Sequence, residues 1–204
     1  SSAQLPCQKS TQIINFNNCD VNQIKNGILK KENNPHFSLL FWNIRSIKSL
    51  NKFTKFKMQL TELVSDRNKI IDCLVLAETW IDPLDKFKLY ELKNYNSFSI
   101  LRDTSQGGGI IIYVRKYFVT NVVVKICNQH VEAILIEILS ANFKQKVLAV
   151  YRPPSGNLSS FYESVDELLS EHNDLLVVGD MNINFLNYTA CQEYRDILMM
   201  NDYL

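Results

Sequence analysis

From position 36 onward, short runs of consecutive apolar residues alternate with stretches whose apolar positions recur every three to four residues. The first pattern predicts strands at 37–42, 70–77, 97–101, 109–114, 122–125, 131–138, 146–150 and 175–178, and the second predicts helices at 52–65, 161–171 and 192–200. Such interleaving points to an α/β or layered α+β fold. Residues 1–35 differ: they are rich in Asn, Gln, Ser and Lys, show no sustained period and end in Asn33-Asn34-Pro35, so they read as a leader or linker, partly disordered.

Two of the helices carry the same stripe. Phe56, Leu60, Leu63 and Val64 fall at i, i+4, i+7 and i+8, as do Phe161, Val165, Leu168 and Leu169, so each presents one apolar face to a core. A capping box, Ser160 with Glu163, predicts where the second begins. Each helix follows one apolar strand and precedes another, and each strand ends on a polar or hydroxylated side chain: Asn43 and Glu78 in the first unit, Tyr151 and Asp180 in the second. If both units are crossovers, their paired strands run parallel and their carboxyl ends share an edge. Ligands of layered α/β proteins favour that edge, so the duplication predicts a site shared between two sheets.

Composition narrows the class. At 204 residues and 46% hydrophobic against 21% charged, the chain suits one globular domain with a sizeable core. No apolar run approaches the roughly 18–20 residues of a membrane helix, and the first residues lack the basic and apolar regions of a secretory signal. Neither a membrane partner nor secretion is expected. Five scattered cysteines without a CxxC pair suggest neither a zinc cage nor a disulfide framework, and favour a reducing compartment. The net charge of +1 conceals an asymmetry, because residues 1–155 carry 21 basic and 12 acidic side chains and residues 156–204 carry 1 and 9. A basic surface for phosphate polymers and an acidic region for a cation are compatible with it, as is solvated charge.

The candidate chemistry gathers at the strand ends. Glu78 and Asp180 directly follow apolar strands and can offer oxygen to a hard, water-rich cation such as Mg²⁺, although strand-end acids also cap turns. In Gly179-Asp180-Met181-Asn182 the glycine permits close backbone approach, and an extended chain would aim Asn182 to the same side as Asp180. Acid and amide could then share a phosphate, the acid positioning or deprotonating water. Arg45 and Arg152 are candidates for phosphate or DNA contact, and residues 45–69 add a basic surface with seven Lys/Arg against two acids. Gly107-Gly108-Gly109 reads as a tight entry into a strand rather than a phosphate cradle, since no GK[ST] follows.

The ordered set Asn43-Ile44-Arg45-Ser46, Ala77-Glu78-Thr79-Trp80, Gly107 to Arg115, Tyr151-Arg152-Pro153-Pro154 and Gly179 to Asn182 resembles the endonuclease/exonuclease/phosphatase superfamily, and within it the apurinic-endonuclease-like domain of LINE-type (non-LTR) retrotransposon polyproteins. The resemblance implies an α+β fold over 36–204, a four-layer α/β/β/α sandwich of two mixed sheets. It implies Mg²⁺-dependent hydrolysis of a DNA phosphodiester, Mn²⁺ being the alternative ion, as target-site nicking for a linked reverse transcriptase region, with an intracellular, nuclear setting. Glu78 would be the metal ligand and Asn43 would order its shell or the attacking water. Tyr151 would contact the scissile phosphate, Asp180 would orient or activate water, and Asn182 would hold a phosphate oxygen.

The sequence departs from the repair members of that superfamily at Arg45, where they often carry an acid, and at Pro154, where they place an Asn; abasic-site repair is therefore disfavoured. The family's Ser-Asp-His-type closing motif is not found after Asp180. The domain therefore reads as C-terminally truncated, lacking its closing strands, with an uncovered sheet edge or face and weak or absent cleavage by this chain alone. His36, His130 and His172 read as structural or solvated. Two rivals stand beside the nuclease reading: a catalytically incomplete remnant that binds nucleic acid or protein, and a phosphomonoesterase or lipid-headgroup hydrolase of the same fold.

Overall fold

The computed structural model describes residues 29–30, 37–65, 70–85, 87–101, 107–184 and 188–203. Chain order runs β1 (Leu29–Lys30), β2 (Ser38–Asn43), α1 (Leu50–Val64), β3 (Cys73–Ala77), a 3₁₀ turn (Phe87–Tyr90), β4 (Tyr95–Ile100), β5 (Ile110–Arg115), β6 (Val119–Cys127), β7 (Glu132–Ser140), β8 (Phe143–Tyr151), α2 (Leu158–Glu171), β9 (Leu175–Asp180) and α3 (Tyr188–Met200). The strands form two mixed sheets, ordered β1-β2-β3-β5-β4 and β6-β7-β8-β9. Both contain the parallel pair expected of a crossover: β2 with β3 around α1, and β8 with β9 around α2.

Side-chain alternation builds the layers. Leu39 and Phe41 of β2, with Val75, Ile112 and Val114, face Ile134, Ile136, Val147, Ala149 and Val178 of the other sheet across one core. The intervening residues Leu40 and Trp42 point the opposite way, onto Phe53, Phe56, Leu60 and Leu63 of α1. On the far side Leu148, Val150 and Val177 meet Phe161, Val165, Leu168 and Leu169 of α2 and Tyr194, Ile197 and Leu198 of α3. The result is helix, sheet, sheet and helices, as the resemblance implied. Each fully buried Leu, Ile or Phe contributes about 1.5–3 kcal/mol, so the three cores account for the order of the layers. No helix among the described residues is long and apolar enough to cross a membrane.

Several local expectations need correction. The cap of α2 is Asn157, whose side chain accepts from the Ser160 N–H, so the helix begins three residues earlier than the Ser160 box suggests. Ser49 caps α1 in the same way. Met200, expected on the apolar face of α3, is exposed. Strand β6 is longer than its apolar centre, and its bulge at Val122/Val124 disfavours edge-to-edge pairing. Of the leader, Leu29 and Lys30 form a strand antiparallel to β2; its other residues and His36 lie outside the described residues, as do Arg67 and Lys69. Among the described residues β9 pairs with β8 alone, yet α2 and α3 cover its outer face and no large exposed apolar side chain lies on it. Of the expected uncovered edge or face, the described residues thus show the unpaired edge at β9 and a covered face.

Cys73, Cys127 and Cys191 form no disulfide among the described residues. Burial in the inter-sheet core pushes the Cys73 thiol far above its ordinary range, with the nearby Asp72 charge adding to the effect. Alkylation of the native protein at pH 8 is expected to modify Cys127, which is exposed, and to spare Cys73 until the protein unfolds; mass spectrometry of modified peptides checks this.

Candidate functional site

The two parallel pairs end at a common rim. Register places Asn43 beside Ala77, with Glu78 one residue on, and Tyr151 beside Asp180. Asn43 then joins the sheets: its Nδ2 donates to Glu78 Oε1 at 2.8 Å and to Asp180 Oδ2 at 2.8 Å. One amide thus uses both its hydrogens on two carboxylates from different layers. Its Oδ1 accepts from the Arg45 N–H at 3.3 Å. Asp180 is buried, and its other oxygen accepts from the Asn182 N–H at 3.1 Å. Glu78 is half-buried and so remains open to solvent.

The backbone beneath these groups is unusual. Arg45, Ser46, Glu78, Trp80 and Asn182 all have φ between 47° and 85°, a region that costs non-glycine residues roughly 1–3 kcal/mol each and is found where surrounding structure enforces it. Here the enforcement is visible. Ser46 N–H donates to Glu78 O at 2.7 Å, Ile47 N–H to Thr79 O at 3.0 Å, Thr79 N–H to Gly109 O at 3.2 Å and Trp80 N–H to Gly108 O at 3.0 Å. Gly107, Gly108 and Gly109 also take positive φ, and a Cβ at Gly109 would lie 2.6 Å from Thr79 Oγ1. The triplet serves the tight strand entry expected of it.

Not every predicted side chain does what its position suggested. Tyr151 is at the rim and buried, as part of the inter-sheet core. Arg45 is exposed beside the acids. Arg152 is buried, and its guanidinium donates to the carbonyls of Met181 at 2.7 Å, Gly156 at 2.7 Å and Asn182. It ties together the loops after β8 and β9 in place of the anticipated phosphate contact. Asn182 turns left-handed instead of staying extended, and its Nδ2 donates to Arg152 O at 2.7 Å. The other N–H of that amide has no partner among the described residues.

Sequence reasoning missed Glu132. It is fully buried, in register with Tyr151, and its Oε2 accepts from Gly109 N–H at 2.7 Å, linking the two sheets below the rim. The signal was an acid opening the apolar run of β7. Lys48, counted in the basic surface, is paired with Asp82 at 2.6 Å. Their hydrogen bond raises the lysine and lowers the carboxylate from their ordinary values. The pair is therefore intact at neutral pH and is lost as pH falls through the lowered carboxylate range. Of the described histidines, His130 accepts the Asn157 N–H through Nδ1 and His172 caps α2; neither has a contact with Asn43, Glu78 or Asp180.

A family model described as the endonuclease/exonuclease/phosphatase family matches residues 40–191. The chain belongs to that family. Every motif that carried the resemblance falls inside the matched span. Among solved structures, the endonuclease domain of TRAS1, a telomere-specific non-LTR retrotransposon, superposes with a TM-score of 0.59 at 10% identity, over 81% of this chain and 72% of that one. TDP2 of D. rerio, complexed with single-strand DNA product, gives 0.52 at 16% identity over 79% and 64%. The Xenopus laevis APE2 catalytic domain gives 0.50 at 14% over 79% and 66%. At such identities the likenesses establish the fold. The chain spans just under two thirds of the latter two. No curated protein sequence matches it.

Proposed function

We propose that this family member is a divalent-metal-dependent DNA endonuclease that hydrolyses a phosphodiester by target-site nicking of the retrotransposon type. A reverse transcriptase region of the same polyprotein would extend the 3′ hydroxyl in the nucleus. The observation that carries the reading is the Asn43 amide held between Glu78 and Asp180, 2.8 Å from each. A purely structural pair of strand-end acids would have no reason to be aligned across two layers by one shared donor.

The donor set suits a hard cation. It is all oxygen, and one of the two acids is open to solvent. That matches Mg²⁺, which keeps most of its waters and takes one or two carboxylates plus substrate phosphate; Mn²⁺ has the same preferences. Glu78 would hold the ion, which when bound would neutralise charge developing on the phosphate and leaving oxygen. Asp180, fixed by Asn43 and Asn182, would accept a proton from the attacking water. The remaining side-chain N–H of Asn182 would bind a phosphate oxygen, and Arg45 would meet the flanking backbone. No described histidine stands ready to donate, so slow turnover is expected of this chain alone.

The test uses supercoiled plasmid with the purified protein in excess. Mg²⁺-dependent conversion to the nicked form should be lost on EDTA treatment and in Glu78→Gln and Asp180→Asn. DNA binding with no nicking under any metal would instead favour the non-cutting remnant, and hydrolysis of small phosphomonoesters without nicking would favour the phosphatase reading.

A further inference from the structure

The chain has two tryptophans, and they are treated oppositely. Trp42 is buried under α1. Trp80 is 38% exposed, two residues from Glu78, with its backbone at φ 59°. A single exposed aromatic is ordinary. An exposed indole held in left-handed backbone is not, because bulky residues avoid that region and a glycine would adopt it freely. Hydrogen bonding enforces the conformation, through Trp80 N–H to Gly108 O. Lys52 Nζ lies 5.8 Å from the ring centroid. Lys52 and Arg45 are both exposed and carry no ion pair among the described residues, whereas the neighbouring Lys48 is neutralised by Asp82. An exposed aromatic plate with a lysine ammonium over its ring, on a rim that also carries the exposed Arg45, is the composition of a single-strand binding surface.

We infer that Trp80 is a stacking platform for an unpaired base next to the scissile phosphate, so that the preferred substrate is single-stranded or locally melted DNA. The inference rests on the nuclease reading and specifies its substrate. Stacking needs a base freed from its helix, which a fully paired duplex supplies only at the cost of unstacking. Lys52 and Arg45 would hold the phosphates on either side of that base.

The experiment measures anisotropy of labelled oligonucleotides in EDTA, where nothing is cut: a single strand, the same strand with one abasic residue stepped along it, and the matched duplex. The wild-type protein should bind the single strand more tightly than the duplex. Trp80→Ala should weaken single-strand binding by about 5- to 100-fold and Trp80→Phe should keep most of it. An abasic residue at the stacking position should cost wild type a similar factor and cost Trp80→Ala nothing. Trp80→Gly separates stacking from backbone strain, because glycine adopts the left-handed backbone freely: its Tm should equal or exceed that of Trp80→Ala while its affinity falls to the same extent. Equal losses by intact and abasic strands in Trp80→Ala would overturn the platform, as would duplex bound as tightly as single strand. Nicking of duplex that survives Trp80→Ala unchanged would overturn the platform and leave the nuclease reading standing. Absence of binding to any oligonucleotide would overturn both.

Discussion

Replacing Asn43 by alanine is expected to slow Mg²⁺-dependent nicking about 10²- to 10³-fold, the usual cost of one preorganised donor at a phosphoryl or acyl centre. The residue is buried and fully committed: two donor bonds of 2.8 Å to Glu78 and Asp180, and one accepted from Arg45 N–H. Alanine leaves two carboxylates converging on one rim with nothing between them. With the shared amide gone, neither carboxylate is held by a donor that also holds the other, so cation and attacking water lose their aligned partners. Two readings check this together: initial nicking rates, and the thermal shift produced by Mg²⁺ in the absence of DNA. Wild type should gain stability as the ion binds the folded state, and Asn43→Ala should gain less. Asn43→Asp should show a larger Mg²⁺ shift than wild type, since it adds a third carboxylate, and still cut poorly. A rate within about threefold of wild type for Asn43→Ala would mean that the amide is structural.

The geometry behind that expectation was partly legible beforehand, and the division has a physical cause. Two helical stripes at identical spacing, each between apolar strands, report parallel pairing because crossover connections leave few alternatives. Parallel pairing then fixes which ends share an edge, which is why Asn43, Glu78, Tyr151 and Asp180 could be grouped without coordinates. The contact of Asn43 with Asp180, 137 positions apart, could not be read so directly. It depends on how two sheets pack face to face, and that is set by volumes in the shared core.

Side-chain direction was the least legible feature. Arg152 sits next to a rim residue, and sequence alone cannot tell that its guanidinium turns inward to three carbonyls. Asn182 was expected on an extended chain, but its N–H bond to Asp180 Oδ1 and its left-handed φ of 50° redirect it. Asx-type bonding of this kind competes with extended backbone whenever Asp and Asn stand two apart. Glu132 escaped notice because one acid in an apolar strand resembles a solvent-facing position; its partner, the Gly109 N–H, comes from the other sheet. The Arg152 and Glu132 misses thus involve distant main-chain partners, which residue spacing does not encode, whereas the Asn182 miss is a local competition between turn and extended backbone.

The second large effect is expected at Gly179, and here a motif residue proves to be a packing requirement. A Cβ built on Gly179 would lie 1.8 Å from Val150 O and 2.7 Å from the Val150 carbonyl carbon. Neither neighbour is a flexible side-chain tip; both belong to the backbone of β8, which pairs with β9 in register at Val150 and Gly179. No rotamer change relieves such an overlap, so β8 and β9 must separate or slip. Gly179→Ala should therefore cost about 4 kcal/mol or more, in the range reserved for disrupted packing. Because Tyr151 and Asp180 are the next pair along, the rim opens at the point where the two carboxylates are aligned. Chemical denaturation should show a lowered midpoint, and any protein that remains folded should be inactive even below its melting range. Ala149→Gly, one pair back in the same strands, removes a methyl group from the inter-sheet core and serves as the contrast. It should destabilise by about 1–2 kcal/mol and leave nicking largely intact. Equal stability of Gly179→Ala and wild type would show that β8 and β9 approach less closely than the register requires, and the placement of Asp180 opposite Asn43 would fail with it.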